Sequence, residues 1–580
     1  MHHRTRSKHL KQIIKAHINK HVEYMSSISG GEGVNRERCL ITQETSAMQE
    51  NLLMIDTLWV LGCTAAVFFM QAGFCCLETG LVRAKNSINV AIKNLVDICV
   101  STCVFWLVGF GIMFGASSAG LFGTSEFCFE SLSASNSAFF LFQVVFCGTA
   151  TTIVSGAVAE RMRFSGYVLV AIVVSGLVYP VSGHWAWGGL MSGEASGWLE
   201  RLGYIDFAGS SVVHAVGGAV ALAAILIIGP RRGRFDGDAK LFHGHNLPVS
   251  ALGVLILWVG WFGFNGGSTL AMNDQVPQIM INTGLGAAAG GVGTLAIVWL
   301  LTRRADIYAM QNGILAGLVS VTACCHVVGP GAAILIGVIG GWIAAAGTQL
   351  LERLKLDDVV CAIPVHGIAG IWGVLAVALF GAPSEFAQDM TRWDQLLVQL
   401  TGAGAIVGWS FAVGFGSLWL INKFVPLRVT AEEERVGLNV SEHAASYELL
   451  DLLTEMETQR QSGDFTQPTT IVSETEVGQI AAQYNRVLDT VNHDRASLVE
   501  ANHRMAEAGN GVAAMHRELQ DKVVELEEFN NCAVGRELRM IELKREVNEL
   551  AGQLGRETPY DVGSDDEFCS TATVGVESHV

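Results

Sequence analysis

The sequence predicts an all-α polytopic membrane protein, eleven transmembrane helices arranged as an inverted five-plus-five repeat, followed by a cytoplasmic helical and coiled-coil tail. Composition gives the first support: half of the 580 residues are apolar, only 16% are charged, and 65 are glycine, a balance that excludes a large soluble enzyme. The second is segregation, because residues 52–425 are a series of apolar blocks whereas 430–580 are rich in Glu, Asp, Lys and Arg. The formal charge of -17 therefore describes mainly the tail. The third is block length, which recurs near the roughly 20 residues a helix needs to cross hydrocarbon.

Cutting the apolar region at charged and Gly/Pro-rich breaks places the spans at 54–80, 92–115, 138–159, 165–187, 211–229, 247–270, 278–302, 308–325, 330–350, 362–381 and 397–424. An odd number puts the two ends on opposite faces, and loop charge decides which is which. Segments following spans 1, 3, 5, 7, 9 and 11 carry 15 Lys and Arg residues, among them Arg83, Lys85, Lys93, Arg161, Arg231 and Arg234. The other five loops carry only Arg201 and Arg392. The rule puts the N-terminal end outside and the tail in the cytoplasm.

Residues 1–51 form an N-terminal extension that disobeys this rule, since it begins MHHRTRSKHLKQIIKAHINKH without the apolar core of an export signal. Either it is translocated despite its charge or the biological start lies at Met48 or Met54, the reading that loop charge favours. Most of the 13 cysteines, including Cys63, Cys147 and Cys324, lie inside apolar runs without metal-site spacing. They read as small buried hydrophobes, with no disulfide framework.

Two spans carry an ionisable side chain where hydrocarbon makes one costly. VVHAVGGAVALAAILIIG begins at Val212 and holds His214, and PVHGIAGIWGVLAVALFG begins at Pro364 and holds His366. Both imidazoles sit in the pattern V-H-x-x-x-G, ending at Gly218 and Gly370. Because five is odd, spans 1–5 and 6–10 run in opposite senses, so the matched histidines are expected at equivalent positions of an inverted repeat, near the midplane. Two neutral imidazoles can bond to each other and leave their remaining nitrogens for a small solute that donates and accepts, or for a proton. A zinc site is the rival, but it needs further ligands, and neither Cys361 nor Asp206 has a spacing that requires convergence.

Five separated stretches resemble the ammonium transporter family (Amt/Mep/Rh): GFCCLETGLVRAKN from Gly73, FQVVFCGTATTIVSGAVAERMRF from Phe142, DFAGSSVVH from Asp206, WVGWFGFNGGS from Trp258 and VHGIAGIWG from Val365. The likeness runs through most of 52–447 and implies eleven spans, an inverted repeat and a homotrimer with one pore per subunit. It further implies an outer site for ammonium built from Phe142, Phe146, Trp187 and Ser268. Phe146 and Phe264 would stack as a gate below it, His214 and His366 would line the lumen beneath, and Asp206 would order the entry without touching the ligand. Aromatic faces attract a cation, and a hydroxyl accepts one N–H bond. Ammonium and ammonia are thus the implied ligands, with no cofactor, no metal, no nucleic acid and no enzymatic step. The chain departs from the family at Cys361 and Ile363, where an acidic residue and an aromatic are common, and this bears on the inner exit.

Solvation supplies the mechanism this likeness implies. A whole ammonium ion is costly to move between apolar walls, burial disfavours its charged form, and it should shed a proton near the gate, leaving ammonia to cross along the histidines. Potassium has no proton to shed and should be refused.

Residues 426–447, including GLNVSEH, resemble the family's cytoplasmic regulatory segment, where a PII-type signal protein can act. Residues 448–491 resemble a HAMP-like helical module through Glu476 to Asn485. Over 492–556 apolar residues recur every seven, Leu498, Met505, Val512, Leu519 and Leu526 among them, with Met515, Phe529, Leu543 and Leu550 three further on, the pattern of a coiled coil. Gly509-Asn-Gly511 interrupts it, and 557–580 is an acidic tail expected to be disordered. Two function classes follow: a transporter with a regulatory tail, or an ammonium receptor signalling through the tail.

Overall fold

A computed structural model describes residues 31–236, 242–387, 389–445, 447–470 and 474–562, with backbone alone over 31–42 and at 44. The basic start and most of the acidic tail, 563–580, lie outside the described residues. The chain divides into two compact units, Met1–Leu450 and Asp451–Val580.

The first unit is helical almost throughout. Its helices are α1 (Gly31–Leu81), α2 (Ala84–Phe114), α3 (Ala134–Ala157), α4 (Phe164–Trp187), α5 (Ser210–Ile228), α6 (Leu247–Gly267), α7 (Val276–Thr302), α8 (Ile307–Thr322), α9 (Pro330–Arg353), α10 (Ile363–Phe380) and α11 (Arg392–Phe424). Among the described residues ten of these helices are long and apolar enough to cross a membrane, and the eighth apolar block yields the 16-residue α8, which is shorter. The protein is therefore a multi-pass helical membrane protein. Sequence breaks located the blocks well, and the helix that carries the first of them, α1, continues upstream to Gly31 through polar residues that hydropathy cannot score as a span.

Burial distinguishes the helices. Most of α3 and α5 is buried, whereas α7 and α11 expose large apolar side chains such as Trp299, Leu300, Leu397 and Trp419. In water such surface would be a liability; in a bilayer it is the solvated face. Lys93, counted among the loop charges, instead lies inside α2, fully buried, with its ammonium donating to the Met162 carbonyl at 2.8 Å. A hydropathy cut cannot tell a loop lysine from one satisfied inside a bundle.

One face of this unit is closed by buried ion pairs. Arg231 binds Asp357 bidentately at 2.8 and 2.9 Å and approaches Glu160 at 3.3 Å, while Arg83 Nε donates to Glu160 at 2.6 Å. Those residues come from the segments after α1, α3, α5 and α9, so one cluster ties four helix ends together. Burial raises the Asp357 carboxyl, but the Arg231 and Arg161 guanidiniums outweigh it and hold the group well below the usual carboxylate range.

The segment 426–443 packs on the same face. Its two short helices, α12 (Ala431–Val436) and α13 (Leu438–His443), are pinned by buried asparagines: Asn439 Oδ1 accepts from the Asn89 amide at 3.0 Å, and Asn86 Oδ1 accepts from the Leu438 amide at 2.9 Å. Glu442 accepts from the Phe164 amide at 2.6 Å and so caps α4.

The second unit contains most of α14 (Glu448–Ser462) and all of α15 (Glu476–Gln553). Tyr484 donates to Gln459 at 2.9 Å, and Asn485 accepts from the Thr469 amide at 2.8 Å. The helix α15 continues through Gly509-Asn-Gly511 without a break, so the interruption lies in the heptad pattern and not in the backbone. Each exposed glycine costs about 1 kcal/mol relative to alanine, too little to end a helix of 78 residues. The heptad side chains Leu498, Met505, Leu519, Leu526 and Phe529 are exposed.

Candidate functional site

The two histidines meet. His366 Nδ1 lies 3.2 Å from His214 Nδ1, and the rings stack with centroids 5.2 Å apart. Both side chains are buried. Their approach depends on two glycines, since a Cβ on Gly218 would lie 2.5 Å from the Gly367 Cα; α5 and α10 therefore cross backbone against backbone beside the pair. Each histidine also sits in a wide π-type turn that opens its helix, Ser210–Ala215 in α5 and Ile363–Ile368 in α10. Such turns rotate side chains away from a regular helical register and recur at functional positions.

An aspartate caps each of these turns, eight residues before its histidine. Asp206 Oδ1 accepts from the amides of Gly209 and Ser210 at 3.0 and 2.8 Å. Its Oδ2 accepts from the amides of Ser211 and Val212 at 2.8 and 3.0 Å and from the Ser211 hydroxyl at 2.6 Å. Burial raises the Asp206 carboxyl above its ordinary value, and these donors oppose that rise. Asp358 accepts from the Ile363 amide at 2.7 Å, and burial pushes its carboxyl up to about 6. Asp358 was missed from sequence although the signal was present: D-x7-H-x3-G fits both DFAGSSVVHAVGG and DVVCAIPVHGIAG.

Aromatic rings cover one side of the pair. Phe146 and Phe264 stack at 3.9 Å between centroids, 12° from parallel, and Phe264 lies 5.5 Å from His214. Trp261 stacks on His214 at 5.0 Å, held by its indole N–H, which donates to Thr322 at 2.8 Å. Beyond the stacked phenylalanines, Phe142 lies 4.6 Å and Trp187 6.3 Å from Phe146. The Trp187 indole donates to the Asp206 carbonyl at 2.7 Å, which anchors this residue. The Ser268 hydroxyl donates to the Phe264 carbonyl at 2.9 Å, which leaves its oxygen lone pairs to accept from something else. Phe142, Phe146, Trp187, Phe264, His214, His366 and Asp206 thus belong to one connected assembly, with Ser268 one turn beyond Phe264.

The residues considered for zinc are engaged elsewhere. The Cys361 thiol lies 2.9 Å from the Tyr308 hydroxyl, and the Asp206 carboxylate is occupied by helix donors. Cys361 has φ of 59°, which places the departure at Cys361 and Ile363 in the tight turn leading into α10.

The structure is thus that of a multi-pass membrane protein with a buried imidazole pair behind a phenylalanine stack, carried on two capped membrane helices with π-type turns. The family model for the Ammonium Transporter Family matches residues 58–447, and the chain belongs to that family. It is 44% identical to ammonium transporter Amt2 of Archaeoglobus fulgidus, over 68% of this chain and 88% of that one. Among solved structures it resembles a sensor Amt protein with 42% identity and a TM-score of 0.67, covering 68% of this chain and all of that one. It also resembles Mep2 of Candida albicans with 28% identity and a TM-score of 0.60, covering 66% and 87%.

Proposed function

We propose that the protein moves ammonium across its membrane by taking the ion at an outer site, removing a proton and conducting ammonia past His214 and His366, with net transfer of charge. The observation that carries this reading is the 3.2 Å contact between two buried imidazoles behind the Phe146–Phe264 stack. A closed aromatic stack cannot replace the hydration shell of an intact cation, so ammonium held by Phe142, Phe146, Trp187 and the Ser268 oxygen has to lose its charge to proceed. Asp206 lowers the cost of cation approach through its negative charge while its oxygens hold the start of α5. Paired Asp-x7-His segments support an inverted repeat, and loop charge supports an outer N-terminal end and a cytoplasmic tail. The homotrimer and a PII-type regulator on 426–447 belong to this reading as family expectations.

The test is an ammonium concentration jump on liposomes adsorbed to a solid-supported membrane. Transport predicts a saturating current absent from protein-free liposomes; a current equal to theirs removes the transport reading.

A second reading, an ammonium receptor, is favoured by the exposed apolar heptad along α15 and by the likeness to a structure described as a sensor. Occupancy of the outer site would then be passed to the 448–491 module and read by a partner on the coiled coil. Deleting residues 448–580 should abolish ammonium-dependent signalling; every response left intact would remove this reading.

A further inference from the structure

His366 borders a second feature that the pathway described so far does not use. A cavity of about 10 Å³ is lined by Phe74, Glu78, Ile153, Val360, Val365 and His366. Phe146, Phe264 and His214 do not line it, so it lies beside His366 and apart from the phenylalanine gate. Its volume matches the lower limit for one water molecule, and Glu78 and His366 are the polar side chains available to hold that water.

Glu78 is a carboxylic acid inside a membrane helix, 2% exposed. Such a group is expensive in a bilayer and marks a pathway by default. One of its oxygens is fixed: Asn94 Nδ2 donates to Oε2 at 2.9 Å, and Asn94 is itself held by the Thr152 hydroxyl at 3.1 Å. Beside Oε1 stands Gly156, where a Cβ would lie 3.2 Å from that oxygen. Other charged groups near it are already engaged. Lys93 donates to the Met162 carbonyl at 2.8 Å, and Asp97 accepts from Tyr167 at 2.8 Å and from Gln71 at 2.6 Å.

We propose that Glu78 is the proton acceptor beyond the imidazole pair, receiving the proton from His366 through one bridging water and returning it to ammonia as it emerges. The inference rests on the transport reading above. In the first step an N–H bond of the His366 imidazolium breaks and an O–H bond forms on Glu78, giving a neutral imidazole and a neutral carboxylic acid. In the second, the Glu78 O–H breaks and an N–H forms on ammonia, giving ammonium and restoring the carboxylate. Proton and charge both balance, and no further reactant is needed. The arrangement keeps the proton and ammonia on one route, so that charge moves with the solute.

The experiment pairs two readouts on full-length protein in liposomes. Glu78→Gln keeps the Asn94 contact and removes the titratable group, and should cut the ammonium-evoked current at least tenfold. Infrared difference spectra on ammonium addition should show a protonated-carboxyl band in the native protein that Glu78→Gln lacks and Glu78→Asp shifts in frequency, a signature that a purely structural role would not produce. Native current in Glu78→Gln, or a carboxyl band unmoved by either substitution, overturns the proposal and leaves the transport reading standing. Absence of current in the native protein overturns both. Should Glu78→Gln fail to assemble, Glu78→Asp carries the test, and an unshifted band refutes the assignment.

Discussion

Gly218→Ala is the sharpest perturbation of the site, because it adds one methyl group and no chemistry. The new Cβ would sit 2.5 Å from the Gly367 Cα, whereas ordinary contact begins at 3.4 Å. Neither partner is a flexible side-chain tip, so α5 and α10 must separate by about 0.9 Å to relieve the clash, with an overpacking cost of about 1–3 kcal/mol. His214 lies on α5 and His366 on α10, four and one residues from the crossing. Carrying that separation to the pair stretches the 3.2 Å Nδ1–Nδ1 contact to about 4 Å, beyond hydrogen-bond reach. A break in the chain that costs about 1.4 kcal/mol in the barrier lowers the rate tenfold, so the current should fall by about that factor or more while the protein still assembles. Gly416→Ala on α11 is the control, because nothing lies within 4 Å of the added Cβ. Solid-supported-membrane current, with melting followed by intrinsic fluorescence, reads both effects. Native current in Gly218→Ala would refute the argument that close crossing of these helices sets the pair.

Two further outcomes follow from the caps and the ion pairs. Asp206→Ala strands the amides of Gly209, Ser210, Ser211 and Val212 in a buried site, at about 1–3 kcal/mol each before water compensates. It should therefore lower the melting temperature clearly more than Asp206→Asn, which keeps an acceptor; equal losses would contradict the capping role. The Asp357 carboxyl is held below its ordinary value, so the stability it contributes is fully present above about pH 4, the unfolded value, and is lost as pH falls below it toward the folded one. Asp358, raised to about 6, acts with the opposite sign, and its contribution is lost as pH rises from about 4 to 6. A pH series of melting temperatures should show an acid limb that Asp357→Asn removes, and an acid limb unchanged by this substitution would count against the buried pair.

The parts of this fold legible in sequence are those set by solvent and by period. Apolar block length found the membrane helices, and the repeated V-H-x-x-x-G found two side chains that are 152 positions apart and touching in space. What escaped was polar chemistry inside apolar runs. Glu78, Lys93 and Asp97 lie in segments whose average hydropathy hides single charges, and their partners Asn94, Tyr167 and the Met162 carbonyl come from three different segments, so no local pattern announces them. Asp358 escaped for another reason: its neighbour Asp357 reads as an equal loop charge, and only the spacing shared with Asp206, D-x7-H-x3-G, sets it apart; in the structure Asp357 faces Arg231 and Asp358 caps α10. The upstream reach of α1 escaped because its first turns are polar, and α15 runs unbroken through two glycines because length outweighs local propensity.

The central claim is that passage requires loss of a proton between the phenylalanine stack and the imidazole pair. Matched jumps of ammonium and potassium chloride on the same proteoliposomes test it most directly, because the two cations are similar in size and only one can be deprotonated. A saturating ammonium current with a potassium response no larger than that of protein-free liposomes is the predicted result. A potassium current comparable to the ammonium current would contradict it.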